Sequence, residues 1–461
     1  LQPLWFTIWQ ALLSTLLTLV VGLPAAFVIA RYRFPGKDTL RLLSTLPFIL
    51  PTVVVAAGFT ALLGPRGLLN TWLMAALNLE NPPIAFMNTL GAILLAHVFY
   101  NTSVVIRVVG SSLAQFDPRY EQAGQVLGGS PWRVFREVTL PLLRPSILVA
   151  GLMVFLFDFT SFGVILLLGG PTFSTLEVAI YTQSLSMLNL RMAGILSLIQ
   201  LVCTFGITLL YGKLNSQRSI PLMPRLKGEG VRKPQSVFEK AAVGLTAVFL
   251  VLLLTAPLIA LALRSVLSGD PAHPFSLLYY RELFINRNNS FFYVPPISAA
   301  LNSLGFAAVT VLVSLGFGLV AAYALVHKRA VRRWLDPLIM LPLGTSAVTL
   351  GLGFLITFNR PPLDVKSFPL LIPLAHSLVA LPFVVRTLQP ALASIPASLR
   401  QSAASLGASP WRVWTEVEAP IIRRAILVGV IFSFTISLGE FGATSFLART
   451  ETPTLPVAIY R

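Results

Sequence analysis

Two carboxylates stand in stretches where nearly every neighbour is apolar: Asp158 in "MVFLFDFTSFG" (153–163) and Glu440 in "SFTISLGEFGA" (433–443). An acid at the centre of a membrane span costs about 2.5–3.5 kcal/mol on insertion scales, so it faces the bundle interior, where it bonds a neighbouring helix or attracts a cation on a polar path. Both readings are open here: interhelical hydrogen bonding, or a substrate path formed by Asp158 and Glu440. His97 and His376 lie in similar apolar surroundings, where helix packing is favoured over a ligand role. Phe155, Phe157, Phe159 and Phe162 read as packing residues, and the single Cys203 can form neither an intramolecular disulfide nor a thiol metal cluster.

These residues recur in register. His97 and His376 are 279 positions apart, and the same offset relates Arg107 to Arg386, Gly128 to Gly407, Glu137 to Glu416, Pro141 to Pro420 and Ala179-Ile180-Tyr181 to Ala458-Ile459-Tyr460. An internal duplication of this period makes each copy one structural half. The counterpart of Asp158 is Ser437 and that of Glu440 is Ser161, so the acids lie three residues apart on equivalent spans. Arg107 and Arg386 fall at span ends, where long basic side chains snorkel to the interface.

The most polar repeated stretch is a loop, "EQAGQVLGGSPWRVFREVTLPLLRP" (121–145) in one copy and "RQSAASLGASPWRVWTEVEAPIIRR" (400–424) in the other. A helical run ends at Gly128 or Gly407, where a left-handed turn is cheap. Ser130-Pro131 and Ser409-Pro410 then supply an N-cap and a proline at the first helical position. A second helix is expected to stop before Pro141 or Pro420. The product is a helix–turn–helix with Trp132 and Arg133, or Trp411 and Arg412, at its corner, residue types enriched at interface hot spots. One such loop could lie on lipid headgroups; two at matched positions suggest a two-fold partner.

The elements that carry these loops are membrane spans. The 461 residues are 55% hydrophobic and 11% charged, against about 25% charged in soluble domains. Apolar stretches of spanning length are expected near 4–30, 42–63, 89–110, 145–168, 188–211, 241–264, 297–325, 337–358, 369–389 and 424–447. The net charge of +17 reflects topology: 25 of the 34 Lys and Arg residues fall on the side of the two "SPWR" loops, which the positive-inside rule makes cytoplasmic. No nucleic-acid partner is needed. Six crossings separate His97 from His376, an even number, so the halves share one orientation, unlike the inverted repeats of many secondary carriers. Domain boundaries are expected at 1–212 for the first repeat (loop 117–145), 213–240 for a basic cytoplasmic linker and 241–461 for the second repeat (loop 396–424). The repeat pattern leaves the 188–211 and 241–264 spans without counterparts, which implies ten spans of an original six plus six, the second repeat being truncated at its C-terminus.

The two loops resemble the EAA signature of the permease subunits of bacterial ATP-binding-cassette importers, whose pattern is Glu-Ala-Ala, three residues, Gly, nine residues, then Ile-x-Leu-Pro. The first copy supplies Gln122-Ala123-Gly124, Gly128 and Val138-Thr139-Leu140-Pro141; the second supplies Gln401-Ser402-Ala403, Gly407 and Val417-Glu418-Ala419-Pro420. The motif's Glu is Gln in both copies, with Glu121 adjacent in the first, and the second lacks Leu before its Pro. The resemblance covers nearly the whole chain and is closest to the fused permeases of thiamine and ferric-iron uptake; "RFPG" (33–36), "LLAHVFYN" (94–101) and "SFGVILLLGGPTFSTLEVAIY" (161–181) resemble the thiamine branch.

That resemblance implies an all-α, type I importer permease of two parallel repeats in the bacterial inner membrane, working with two ATP-binding-cassette ATPase subunits and an extracytoplasmic substrate-binding protein. Gln122, Ala123, Gly128, Trp132, Arg133 and Pro141, with Gln401, Ala403, Gly407, Trp411, Arg412 and Pro420, would form the ATPase-coupling sites. The cargo is expected to be thiamine, with ferric iron next. The sequence carries no G-x-x-x-x-G-K-[ST], since Gly36-Lys37 and Gly212-Lys213 both lack its flanking residues, so the chain is not expected to be an enzyme. ATP would be held by the partner subunits, with no cofactor or metal in this chain. An ion-coupled secondary transporter with parallel repeats is the alternative; it explains the duplication and the buried acids but not a matched polar loop in each half. A structural scaffold explains neither.

Overall fold

A computed structural model describes residues 2–216, 231–270, 273–285, 294–360, 363–364, 368–449 and 451–461. In chain order the principal helices are α1 (Gln2–Arg31), α2 (Lys37–Leu43), α3 (Thr52–Leu63), α4 (Leu68–Leu77), α5 (Leu90–Ala114), α6 (Pro118–Val126), α7 (Pro131–Phe159), α8 (Leu190–Ser216), α9 (Val237–Val266), α10 (Pro296–His327), α11 (Arg329–Gly344), α12 (Ala347–Thr357), α13 (Leu371–Ala393), α14 (Ala397–Ser405) and α15 (Pro410–Gly439). Two short antiparallel hairpins, Leu267–Asp270 with His273–Phe275 and Asn359–Arg360 with Leu363–Asp364, are the strands among the described residues. The protein is an all-α membrane protein.

Nine of these helices, counting Thr52–Leu77 as one, are long and apolar enough to cross a membrane, and α11 with α12 makes a tenth if that bent pair is one span. Two expected spans are broken. The stretch near 42–63 starts as α2 and a short helix Leu46–Ile49, and regains helix at Thr52 after Pro51. The stretch near 337–358 bends by 97° between α11 and α12, where Pro342 precedes the break and Ser346 caps the new helix by accepting from the Thr349 amide at 3.0 Å. Proline supplies no N–H and disfavours helical geometry in the residue before it, which accounts for the first break, where Leu50 before Pro51 is extended.

The helix after each loop corner does not stop before its proline. From Pro131 the chain runs through a π-turn at Phe135–Thr139 straight into Leu140–Phe159, and Pro410–Val413 likewise runs through Trp414–Glu418 into Ala419–Gly439. The wider π geometry suits a proline that would otherwise leave one helical bond unmade and press its ring on the preceding turn. Each corner is therefore the first turn of a rod that continues into the membrane.

Packing groups the chain into two units, residues 1–179 with 202–277, and residues 180–201 with 278–461. The first span after the linker, α9, thus packs in the first unit, against α3, where Pro257 O lies 2.9 Å from the point a Cβ would occupy on Gly58. Packing and the sequence repeat divide the chain at different places. Linker residues 217–230, with Arg218, Arg225 and Lys227, lie outside the described residues. On the linker's far side Ser236 and Glu239 form a reciprocal capping box that starts α9, and Glu239 also pairs with Arg232.

Each unit has the same three-helix centre: α1, α5 and α7 in one, α10, α13 and α15 in the other. Gly22 on α1 meets Val105, and Gly318 on α10 meets Val384; a Cβ on either glycine would lie 2.6–2.8 Å from the valine side chain. The valines are 279 apart but the glycines 296 apart. The offset of 279 thus holds from His97 onward, and the first helix of each copy is displaced by a further 17 residues, inserted in the first copy. The same shift appears where Leu176 N donates to Thr7 Oγ1 (2.9 Å) and Leu455 N donates to Ser303 Oγ (2.7 Å).

Candidate functional site

In the first loop, Asp117 caps α6 by accepting from the Arg119 amide at 2.9 Å, and Pro118 takes the first helical position. The helix closes with two bonds that define a Schellman turn: Gly128 N to Gln125 O (2.9 Å) and Gly129 N to Gly124 O (3.0 Å). Gly407 N to Ala404 O (3.0 Å) and Ala408 N to Ala403 O (3.1 Å) repeat it in the second loop. Gly128 has φ +84° and Gly407 φ +81°, a region L side chains rarely enter. Ser130 and Ser409 then accept from the Arg133 and Arg412 amides, each at 3.3 Å.

What this exposes is the same in both loops. Leu127 is 87% exposed and Leu406 88%; Trp132 is 71% exposed and Trp411 73%. Gln122, Ala123 and Gln401 are also exposed, Ala403 and Pro141 are half-buried, and Pro420 is exposed. Arg133 is held by Glu137 at 3.1 Å, and Arg412 by Glu416 at 2.9 Å, each one helical turn on. Ten of the twelve expected coupling residues thus lie in two corners of one geometry, each presenting a large apolar tip beside a charged pair, while Pro141 and Pro420 lie beyond the π-turn in the helix that follows.

The bonds that fix each corner to its span involve residues outside the expected set. Glu121 accepts from both terminal guanidinium nitrogens of Arg31 at the end of α1, and from Thr139 Oγ1 in the π-turn. Burial alone would raise the Glu121 pKa, but the bonds from Arg31 and Thr139 and the charges of Arg31 and Arg232 outweigh it and hold the carboxyl below its ordinary 4.5. The second loop uses the same two positions with other chemistry: Arg400 stands for Glu121 and Glu418 for Thr139, and Arg400 donates to Glu418 and to Leu392 O and Ile395 O. The sequence signal for this clasp was the 279 offset, which sets a charged residue at 121 and 400 alike.

Both membrane acids are buried in the packing of their own unit. Asp158 Oδ1 accepts from Asn101 Nδ2 at 2.7 Å and lies 3.4 Å from His97 Nδ1, while Gln10 Nε2 donates to Asp158 O at 2.9 Å. His97 also contacts Ser14 Oγ and Ser161 Oγ, each at 2.9 Å. In the second unit Glu440 Oε1 accepts from Ala443 N (2.8 Å) and Oε2 from Thr444 N (2.9 Å) and Thr444 Oγ1 (2.6 Å), and lies 3.3 Å from His376 Nε2. His376 bridges Ser437 Oγ (2.8 Å) and Thr444 Oγ1 (2.7 Å). Each cluster ties three elements of its unit together, centred on the repeated histidine.

The two halves, each with a matched polar corner, are covered by two matches to one family. Residues 19–218 and 314–460 match the model of the binding-protein-dependent transport system inner membrane component family. The chain belongs to that family. It is a multi-pass inner-membrane permease of the ATP-binding-cassette type. It is similar to the thiamine transport system permease protein ThiP of Escherichia coli, 28% identical over 465 residues that cover 99% of this chain and 82% of that protein. The corresponding protein of Haemophilus influenzae is 26% identical over 460 residues, 99% of this chain and 82% of that one. A probable ABC transporter permease, y4fN, of Sinorhizobium fredii is 27% identical over 470 residues, with 99% and 81% covered. Membership sets aside the ion-coupled secondary carrier, which the duplication and buried acids alone would have allowed.

Proposed function

We propose that this chain is the transmembrane subunit of a thiamine importer, driven by two separate ATP-binding-cassette ATPase subunits and supplied by an extracytoplasmic binding protein. The observation that supports coupling most directly is the pair of matched corners, with Gly128 at φ +84°, Gly407 at φ +81° and a largely exposed Trp on each. Because α7 and α15 start at these corners and continue into the membrane, a push on Trp132 or Trp411 is delivered along a continuous helix. The Arg31–Glu121 and Arg400–Glu418 bonds keep each corner from yielding independently of its span. Coupling residues Gln122, Arg133, Gln401 and Arg412 would form the polar rim around the apolar tips.

Thiamine as cargo is supported by the relatives named above. Ferric iron is the rival, since both carry positive charge. Asp158 and Glu440 bear on the cargo less than their charge suggests: their hydrogen bonds support a helix-holding role, and we assign them to it rather than to the substrate path. Reconstituted vesicles holding the permease and its ATPase, given binding protein and ATP, test the reading. ATP-dependent accumulation of thiamine and not of ferric ion is expected; accumulation of iron alone would overturn the choice of cargo.

A further inference from the structure

We infer that the first unit carries a phosphate-binding site at the membrane end that the basic residues assign to the cytoplasm. A cavity of about 290 Å³ opens there between α1, α2 and α5, lined by Arg41, Ser44, Thr45, Ser103, Arg107 and Ser111 among others. Two guanidinium groups therefore border one small cavity. Neither forms an ion pair with any described residue; Arg107 lies 5.8 Å from the Phe48 ring centroid. The nearest acid in sequence, Asp38 on α2, is not within ion-pair distance of either, and Lys37 is turned to Tyr32 O at 2.8 Å.

The second half shows how the same place looks when it needs no ligand. Arg386 is the repeat counterpart of Arg107, and it pairs with Asp336 at 3.5 Å and contacts Met340 Sδ at 3.3 Å. The stretches "LRLLSTLP" (40–47) and "LDPLIMLP" (335–342) align Leu40 with Leu335 and Leu46-Pro47 with Leu341-Pro342. That alignment sets Arg41 opposite Asp336 and Thr45 opposite Met340. The repeat thus holds an arginine–aspartate pair in one copy and two arginines in the other. Charge neutral within the protein at one site is left positive at its equivalent.

Two like charges bordering one cavity repel, and an anion between them relieves that repulsion while taking charge-assisted hydrogen bonds from both forks. The planar guanidinium fork matches phosphate oxygens, and the cavity holds one or two phosphate groups rather than a large ligand. Two sources share this chemistry: the phosphodiester of an anionic phospholipid in the cytoplasmic leaflet, and a soluble phosphate or diphosphate ester in the cytoplasm.

The test uses the purified full-length permease with its partner subunits, as wild type and as Arg41→Asp, which installs the second half's ion pair and so should fold. Calorimetry with inorganic pyrophosphate probes the soluble source, and native mass spectrometry from phosphatidylglycerol nanodiscs probes the lipid. Pyrophosphate binding weakened about tenfold or more in Arg41→Asp supports a soluble phosphate ligand. Retained phosphatidylglycerol lost in Arg41→Asp, without pyrophosphate binding, supports the lipid headgroup. Should Arg41→Asp fail to fold, Arg41→Gln is expected to weaken the same probe and Arg41→Lys to keep most of it. Failure of the wild type to hold either probe, or equal binding by wild type and variants, overturns the site.

Discussion

Arg400 donates to Glu418 at the two positions where the first half has Glu121 and Thr139. One clasp, between the loop helix and the π-turn that leads into the span, is built twice with the charges redistributed. In the first half the cation comes from elsewhere, Arg31 at the end of α1. The position has kept its job while changing its chemistry, which identifies the clasp itself as the feature each loop requires.

Glu121 makes the first loop acid-sensitive in a defined direction. Its folded pKa is lowered from an ordinary 4.5, so its stabilising contribution is fully present above the unfolded value and is lost as pH falls through the folded one. Glu121→Gln removes the charge-assisted bonds to Arg31 and costs about 1–3 kcal/mol locally. Limited proteolysis of the 117–145 loop, followed from neutral pH downward, is expected to show early cleavage in the variant already at neutral pH. In the wild type protection is expected to be kept until the pH passes below 4.5.

Backbone strain without any clash tests the Schellman corners. Beyond the glycine and its chain neighbours nothing lies within 4 Å of a Cβ placed on Gly128 or Gly407, so the positive φ is what opposes a side chain there. Gly128→Val and Gly407→Val should each cost about 1–2 kcal/mol at the corner. The double variant is expected to insert normally into the membrane yet co-purify with its ATPase poorly, as read from the ATPase-to-permease ratio.

How much of this was legible depends on range. Gly128, Ser130-Pro131 and their copies at 407 and 409–410 encode their turns locally, and the sequence reads as it folds. Pro141 and Pro420 mislead because a π-turn absorbs them, and nothing short of the backbone shows whether a helix widens or ends. The span near 337–358 fails for the opposite reason, since its apolar run conceals the 97° bend after Pro342. The pairing of α9 with α3 joins residues almost two hundred positions apart, beyond any local pattern. The equivalence of Arg41 and Asp336 is hidden by the insertion, because the 279 offset that aligns Arg107 with Arg386 does not align α2 with α11.

The two membrane acids should respond unequally to loss of charge. Glu440→Gln sets an amide donor against the Ala443 and Thr444 donors that the carboxylate now accepts, a cost of about 1–3 kcal/mol. Asp158→Asn keeps the oxygen that accepts from Asn101 and should cost less than about 1 kcal/mol. Thermal unfolding in detergent should therefore show a clearly lower midpoint for Glu440→Gln than for Asp158→Asn. Equal midpoints would count against the helix-holding assignment of Glu440.

The central claim, that both corners seat on an ATPase, is tested most directly by site-specific cross-linking. Leu127 and Leu406 are the repeat-equivalent tips, 87% and 88% exposed, and either can be replaced by cysteine without removing a packed side chain. With Cys203 replaced by serine and paired cysteines scanned across the ATPase surface, Leu127→Cys and Leu406→Cys should each form a disulfide with the ATPase, at equivalent positions of its two copies. ATP should change the yield at both. Transport-competent complexes in which neither cysteine can be cross-linked to the ATPase would contradict the account.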